Sequence, residues 1–305
     1  MRRITALLAV LSVALAVVSV AAGAETKLRV VTTIPDLTAL AQAVGGELVD
    51  VETLTRGKQN AHEAEVRPTM MLKLRRADVL VENGLELDAW IDLAVKGANN
   101  PNIIRGAAGR IDVSQGLPIL EVPTGRVDRS MGDVHPLGNP HYSLDPGFAV
   151  TITQTILDGF SRLASGERPT FERNRRQFLV QLDDAMSRWM KTLEPFRGAK
   201  VVVYHPQWTY FLTRFGLVQA ATLEDRPGIP ASPGQLVRVI QRMKAERIKV
   251  IIVEPWNDQK LAQRVAEEAG AKTLVLASIV GGVKGADTYI GAIEYNVNAL
   301  AQALR

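Results

Sequence analysis

Lys249-Val250-Ile251-Ile252-Val253-Glu254-Pro255 places four β-branched residues in a row between charged neighbours. A strand with one wet face alternates apolar and polar positions. A strand apolar at every position has both faces covered, as in a parallel sheet with helices on either side. Lys200 to Tyr204 reads the same way, and Leu217 to Thr222 and Lys272 to Leu276 complete a set of four strands. Between and after them, helical spacing is found at Trp208 to Phe215, Ser232 to Glu246, Lys260 to Ala269 and Tyr289 to Leu304. Strands alternating with helices predict an α/β lobe with a parallel sheet.

Upstream, the theme repeats. Leu28 to Thr32, Leu48 to Leu54 and Asp78 to Glu82 read as strands, and Arg110 to Ser114 and Pro118 to Pro123 as a weaker strand pair. Helices are expected at Leu37 to Val44, Pro68 to Arg76, Leu85 to Ala98 and Phe148 to Leu163. Pro68 stands where its missing N–H costs nothing. Between the halves, Phe171, Phe178, Leu182, Ala185, Trp189 and Leu193 recur at helical steps from Pro169 to Glu194. Some 25 residues at 1.5 Å rise span about 37 Å, enough for a stiff strut between lobes. The predicted organisation is a first lobe over residues 25–167, a linking helix within 168–195 and a second lobe over 196–305.

The chain has 305 residues, a formal charge of +4 and no cysteine. The length suits two domains. So small a charge gives no reason to invoke nucleic acid. Without cysteine there are no disulfides, thiolate ligands or lipid attachment at an N-terminal cysteine. Arg2-Arg3, the apolar run Ile4 to Val20 and Ala22-Gly23-Ala24 have the form of a cleaved signal peptide, residues 1–24. The mature protein is therefore expected free in the periplasm.

Four histidines exist, at 62, 135, 141 and 205. Neutral imidazole is the commonest nitrogen ligand for metals. His62 follows the second predicted strand, His205 follows the first strand of lobe two, and His141 lies in Asn139-Pro140-His141, before a helix. Carboxyl ends of strands in open α/β sheets face the ligand crevice, so at least two of the three are expected to point toward one cleft, each from a different lobe. On residue chemistry alone, a metal site and three unrelated surface or capping histidines both stay open.

Several segments in order then carry a resemblance: Asn60-Ala61-His62 to Pro68, Ala77-Asp78-Val79-Leu80-Val81-Glu82-Asn83-Gly84 to Trp90, Asn139-Pro140-His141 to Leu144-Asp145-Pro146, Tyr204-His205 to Phe215-Gly216-Leu217, and Asp287-Thr288-Tyr289 with Asn296. The chain resembles, over essentially its mature length, the periplasmic zinc- or manganese-binding components of metal ABC importers, the ZnuA/TroA type. That resemblance implies two lobes joined by one rigid helix and a metal between them. His62, His141 and His205 match the family's histidine ligands. Imidazole at 205, where manganese-preferring members often carry a carboxylate, favours Zn²⁺ as the transported ligand over Mn²⁺.

The family's fourth ligand, an aspartate, aligns with Ala277, and alanine cannot ligate. Water, Glu254, Glu224 or Asp225 are the candidates for that position, with Glu254 alternatively a structural cap. His135, in the irregular loop 122–138, reads either as a solvated histidine or as a transient docking site that passes metal to His141. The expected partners are a membrane permease and a divalent metal ion, with a metallochaperone as a further candidate, and the chain is expected to be a monomer. An open three-histidine zinc site is also found in hydrolases, so a zinc-dependent hydrolase is the rival reading. Against it, no His-Glu-x-x-His motif is present.

Overall fold

The computed structural model describes residues 27–305, so the segment 1–24, expected to be a signal peptide, lies outside the described residues. In chain order the elements are β1 (Leu28–Thr32), α1 (Pro35–Gly45), β2 (Val49–Thr53), α2 (Pro68–Arg76), β3 (Val79–Glu82), α3 (Ile91–Ala98), β4 (Arg110–Asp112) and α4 (Ala149–Leu163). Then come α5 (Arg168–Leu193), β5 (Lys200–Val203), α6 (Thr209–Arg214), β6 (Val218–Thr222), α7 (Pro233–Glu246), β7 (Val250–Val253), α8 (Gln259–Ala269), β8 (Lys272–Val275) and α9 (Tyr289–Leu304).

The strands form two four-stranded sheets in the same order, β2-β1-β3-β4 and β6-β5-β7-β8, and every pairing is parallel. β3 and β7 are buried at every position, as the apolar runs Val79-Leu80-Val81 and Val250 to Val253 require; Glu82, which ends β3, is buried against the Arg110 guanidinium at 2.7 and 2.6 Å. In each sheet the chain first steps to one side of the opening strand and then crosses to the other. The resulting switch points lie between β1 and β3 and between β5 and β7, where open α/β sheets place their crevices.

The six apolar residues of α5 read from the sequence are the six it buries. They pack against α1 and α4 of the first lobe and α9 of the second. Two ties fix the strut further: Asn174 Nδ2 donates to Val44 O at 3.1 Å, and Trp189 Nε1 donates to Glu294 on α9. One apolar core runs from Leu37, Leu40 and Val44 through Phe171, Leu182 and Trp189 to Val201, Ile293 and Leu300. Domains joined by a large apolar interface are not free to hinge widely. Polar contacts across the lobes add to this: Tyr289 Oη donates to Ser143 O at 2.7 Å and the Arg214 guanidinium grips Asp145 at 2.6 and 2.8 Å.

Two expectations fail locally. The second weak strand, Pro118 to Pro123, does not form. Leu120 N–H goes to Tyr210 Oη at 2.9 Å, and Leu120 O receives Asn139 N–H, so its backbone groups are spent on loops. The helix expected from Leu85 starts at Ile91, because Leu85 and Glu86 have φ of 51° and 65°. Those left-handed residues belong to a turn held by Asp88, whose carboxylate accepts Asn83 N–H at 2.7 Å and Gly84 N–H at 3.1 Å.

Candidate metal centre

All three predicted histidines converge. One ring nitrogen each of His62, His141 and His205 lies within 4.8 Å of the others. His62 Nε2 and His141 Nε2 are 3.2 Å apart. Zinc–imidazole bonds of 2.0–2.1 Å at tetrahedral angles put neighbouring donor atoms about 3.3 Å apart, so this pair already has the spacing of one edge of the tetrahedron.

Each histidine is held by its own loop. His62 N–H donates to Asn60 Oδ1 at 3.1 Å, and Trp90 Nε1 donates to Ala61 O at 2.9 Å. His141 N–H donates to Asn139 Oδ1 at 3.0 Å, and Asn83 Nδ2 holds Pro140 O at 3.1 Å. His205 follows the end of β5, at the switch point of the second sheet. Its Nδ1 lies 2.8 Å from Glu224 Oε2, which also accepts Gly228 N–H at 2.8 Å. With Nδ1–H committed to a carboxylate, Nε2 is left as the free donor, which is how carboxylate–histidine pairs orient metal ligands.

Electrostatics divide the three. Burial holds the pKa of His62 and His141 well below the ordinary value, and the charge of His205 lowers both further. Burial also lowers that of His205, but its hydrogen bond and charge interaction with Glu224, aided by Glu254 and Asp133, reverse the sign and leave it raised.

The carboxylates weighed for the fourth position are occupied elsewhere. Glu254 is fully buried and accepts Trp208 Nε1 and Asn257 Nδ2, each at 2.6 Å, which makes it the structural cap. Glu224 orients His205. Asp225 accepts Ser232 N–H at 3.0 Å and faces Arg238. Ala277 is buried, with its N–H and C=O both paired to the Asn296 side chain at 2.8 and 2.7 Å. Among the described residues no carboxylate joins the three-histidine group.

His135 stands closer than the sequence foretold. Its ring is stacked on that of His62, with centroids 5.0 Å apart and 22° between planes. Burial and then the charge of His205 push its pKa down to about 4. It lines a cleft of about 310 Å³ together with Asp133, His141, His205 and Arg226. A second group had no sequence signal. Asp36, Gln207 and Ser278 line a cavity of about 10 Å³ beside His62 and His141, and each has a buried side-chain atom without a partner. These residues come from three distant segments, and only the fold brings them together.

The model of the zinc-uptake complex component A periplasmic family matches residues 30–303. The chain belongs to this family. It is 26% identical over 284 residues to the zinc-binding lipoprotein AdcA of Streptococcus pneumoniae (strain ATCC BAA-255 / R6), an alignment covering 92% of this chain and 56% of AdcA. The chain thus spans about half the length of that relative. It is 23% identical over 285 residues to the high-affinity zinc uptake system protein ZnuA of Bacillus subtilis (strain 168), covering 91% of this chain and 88% of ZnuA. Among solved structures, a ZnuA deletion mutant with zinc bound superposes with a TM-score of 0.77 at 26% identity, covering 91% of this chain and 98% of the mutant. Membership in a family of uptake components decides against the hydrolase reading.

Proposed function

We propose that this chain captures Zn²⁺ in the interlobe cleft with His62, His141 and His205 and delivers it to the membrane permease of an ABC importer. The observation that carries the reading is the convergence of three imidazole nitrogens, from loops of both lobes, within 4.8 Å. Three neutral nitrogen donors suit zinc better than manganese, which favours carboxylate and water oxygens. Similarity to the zinc-binding AdcA and the zinc-uptake protein ZnuA supports the same choice. The continuous core along α5 argues that release works through local loop changes and not a wide opening of the lobes. The domain limits 25–167, 168–195 and 196–305 fit the two sheets and the strut between them. Cleavage after Ala24, a free periplasmic product without lipid, and a monomeric state are part of this reading. Cleavage and release without lipid rest on residues 1–24 and on the absence of cysteine. A metallochaperone that loads the site remains part of the proposal, to be sought by its ability to transfer zinc.

Titration of the metal-free protein with zinc and with manganese, alongside elemental analysis of the purified form, tests the assignment. Tight zinc binding at one equivalent with weaker manganese binding is expected. No zinc binding would refute it.

A further inference from the structure

We propose that His135 is the fourth imidazole ligand of the captured zinc, so that the 122–138 loop is itself part of the metal site. The inference rests on the zinc-capture reading and deepens it. Four observations lead to it. Zinc held wholly by protein groups is almost always four-coordinate and tetrahedral, yet position 277 offers only a methyl group, and Glu254, Glu224 and Asp225, the carboxylates weighed for the fourth place, are committed to Trp208, Asn257, His205 and Ser232. His135 Nε2 is buried and has no hydrogen-bond partner. A buried, unpaired ring nitrogen costs free energy unless something fills its lone pair or takes its proton. The ring is stacked on that of His62, with centroids 5.0 Å apart, which sets His135 directly against one of the three converging imidazoles.

The loop that carries it is also anchored on the far lobe. Asp133 N–H donates to Pro227 O at 2.7 Å, and Arg226 donates to Ser130 O. Gly132 packs so closely that a Cβ there would lie 2.1 Å from Pro227 O. On the near side, Gly138 N–H closes a turn on His135 O at 3.1 Å. The loop thus leaves the first lobe, crosses the cleft and lands beside Gly228, whose N–H donates to the Glu224 carboxylate that holds His205. A ligand on such a bridge ties metal binding to the seating of this loop. It also gives the site four nitrogen donors, a set that favours zinc over manganese by ligand type.

The chain contains four histidines, and this makes the test direct. Zinc K-edge X-ray absorption of the tag-free protein loaded with one equivalent of zinc counts the imidazoles in the metal shell. Four are expected, and four in a one-to-one complex must include His135. Three imidazoles with an oxygen donor would overturn the proposal while leaving zinc capture intact. In competition with a chromophoric chelator, His135→Gln should lose at least the roughly 10–100-fold that removal of an outer-shell partner costs. Unchanged affinity in that variant would also overturn it. His62→Ala and His205→Ala run in parallel separate the two failures, because wild-type affinity in both would defeat the capture reading itself.

Discussion

On the first lobe's side of the cleft, His62 and His141 are oriented by neutral groups. Asn60 and Asn139 fix their backbones, and burial keeps their rings neutral. On the second lobe's side, His205 is oriented by a carboxylate, and Glu224 raises its pKa despite equal burial. The two sides thus prepare for a cation in different ways. The first supplies donors already free of protons. The second supplies a negative second neighbour that strengthens its imidazole as a donor, at the cost of a proton that the metal must displace.

The comparison breaks most visibly where a donor is removed. His141→Ala should weaken zinc binding by more than the roughly 100-fold upper range for outer-shell losses, measured by chelator competition. It should do so equally at and above neutral pH, since burial keeps His141 free of a competing proton there. Glu224→Gln sharpens the contrast. Affinity should fall by roughly 10–100-fold. Proton release on zinc binding near neutral pH should also drop, because His205 then resembles its two partners. Calorimetry in buffers of different ionisation enthalpy reads that release directly.

Smaller effects follow from the frame that brings the two sides together. Gly57, in the loop leading to His62, lies against the second lobe so closely that a Cβ would meet Val280 O at 2.3 Å and Gly281 C at 2.4 Å. Gly57→Ala forces these backbones apart and should cost about 1–3 kcal/mol, seen as a lower Tm of the metal-free protein. The least effect is on acid stability. His62, His141 and His135 are kept below their unfolded value of about 6.5, so below that pH the unfolded chain binds protons that the folded chain refuses. Stability of the metal-free protein should therefore fall as pH drops through that range. His205 has the opposite sign. Its raised pKa adds stability fully present below 6.5 and lost as pH rises through its folded value. Three against one leaves a net loss on acidification, measurable by urea unfolding at about pH 5 and about pH 7.5.

Much of this frame was legible in the sequence because burial is written in periodicity. β7 is apolar throughout and buried throughout, β3 is buried along its apolar run Val79-Leu80-Val81, and the six-residue stripe of α5 is its buried face. The three-histidine group was legible through strand ends and resemblance. What escaped needed pairings between distant segments. Glu224 was weighed as a ligand, but the register Val203↔Thr222 sets it beside His205, two residues past each partner, and there it takes the ring nitrogen facing away from the cleft. The stacking of His135 on His62 depends on the loop's contact with Pro227, for which no local pattern exists. The failed strand at Pro118 to Pro123 has the same origin, since Tyr210 of the other lobe claims its Leu120 N–H.

Anomalous diffraction at the zinc edge from crystals of the zinc-loaded protein tests the central claim most directly. The account predicts one strong peak in the cleft, about 2.0–2.1 Å from a ring nitrogen of each of His62, His141 and His205. A peak that omits His205, or one bound outside the cleft, would contradict it.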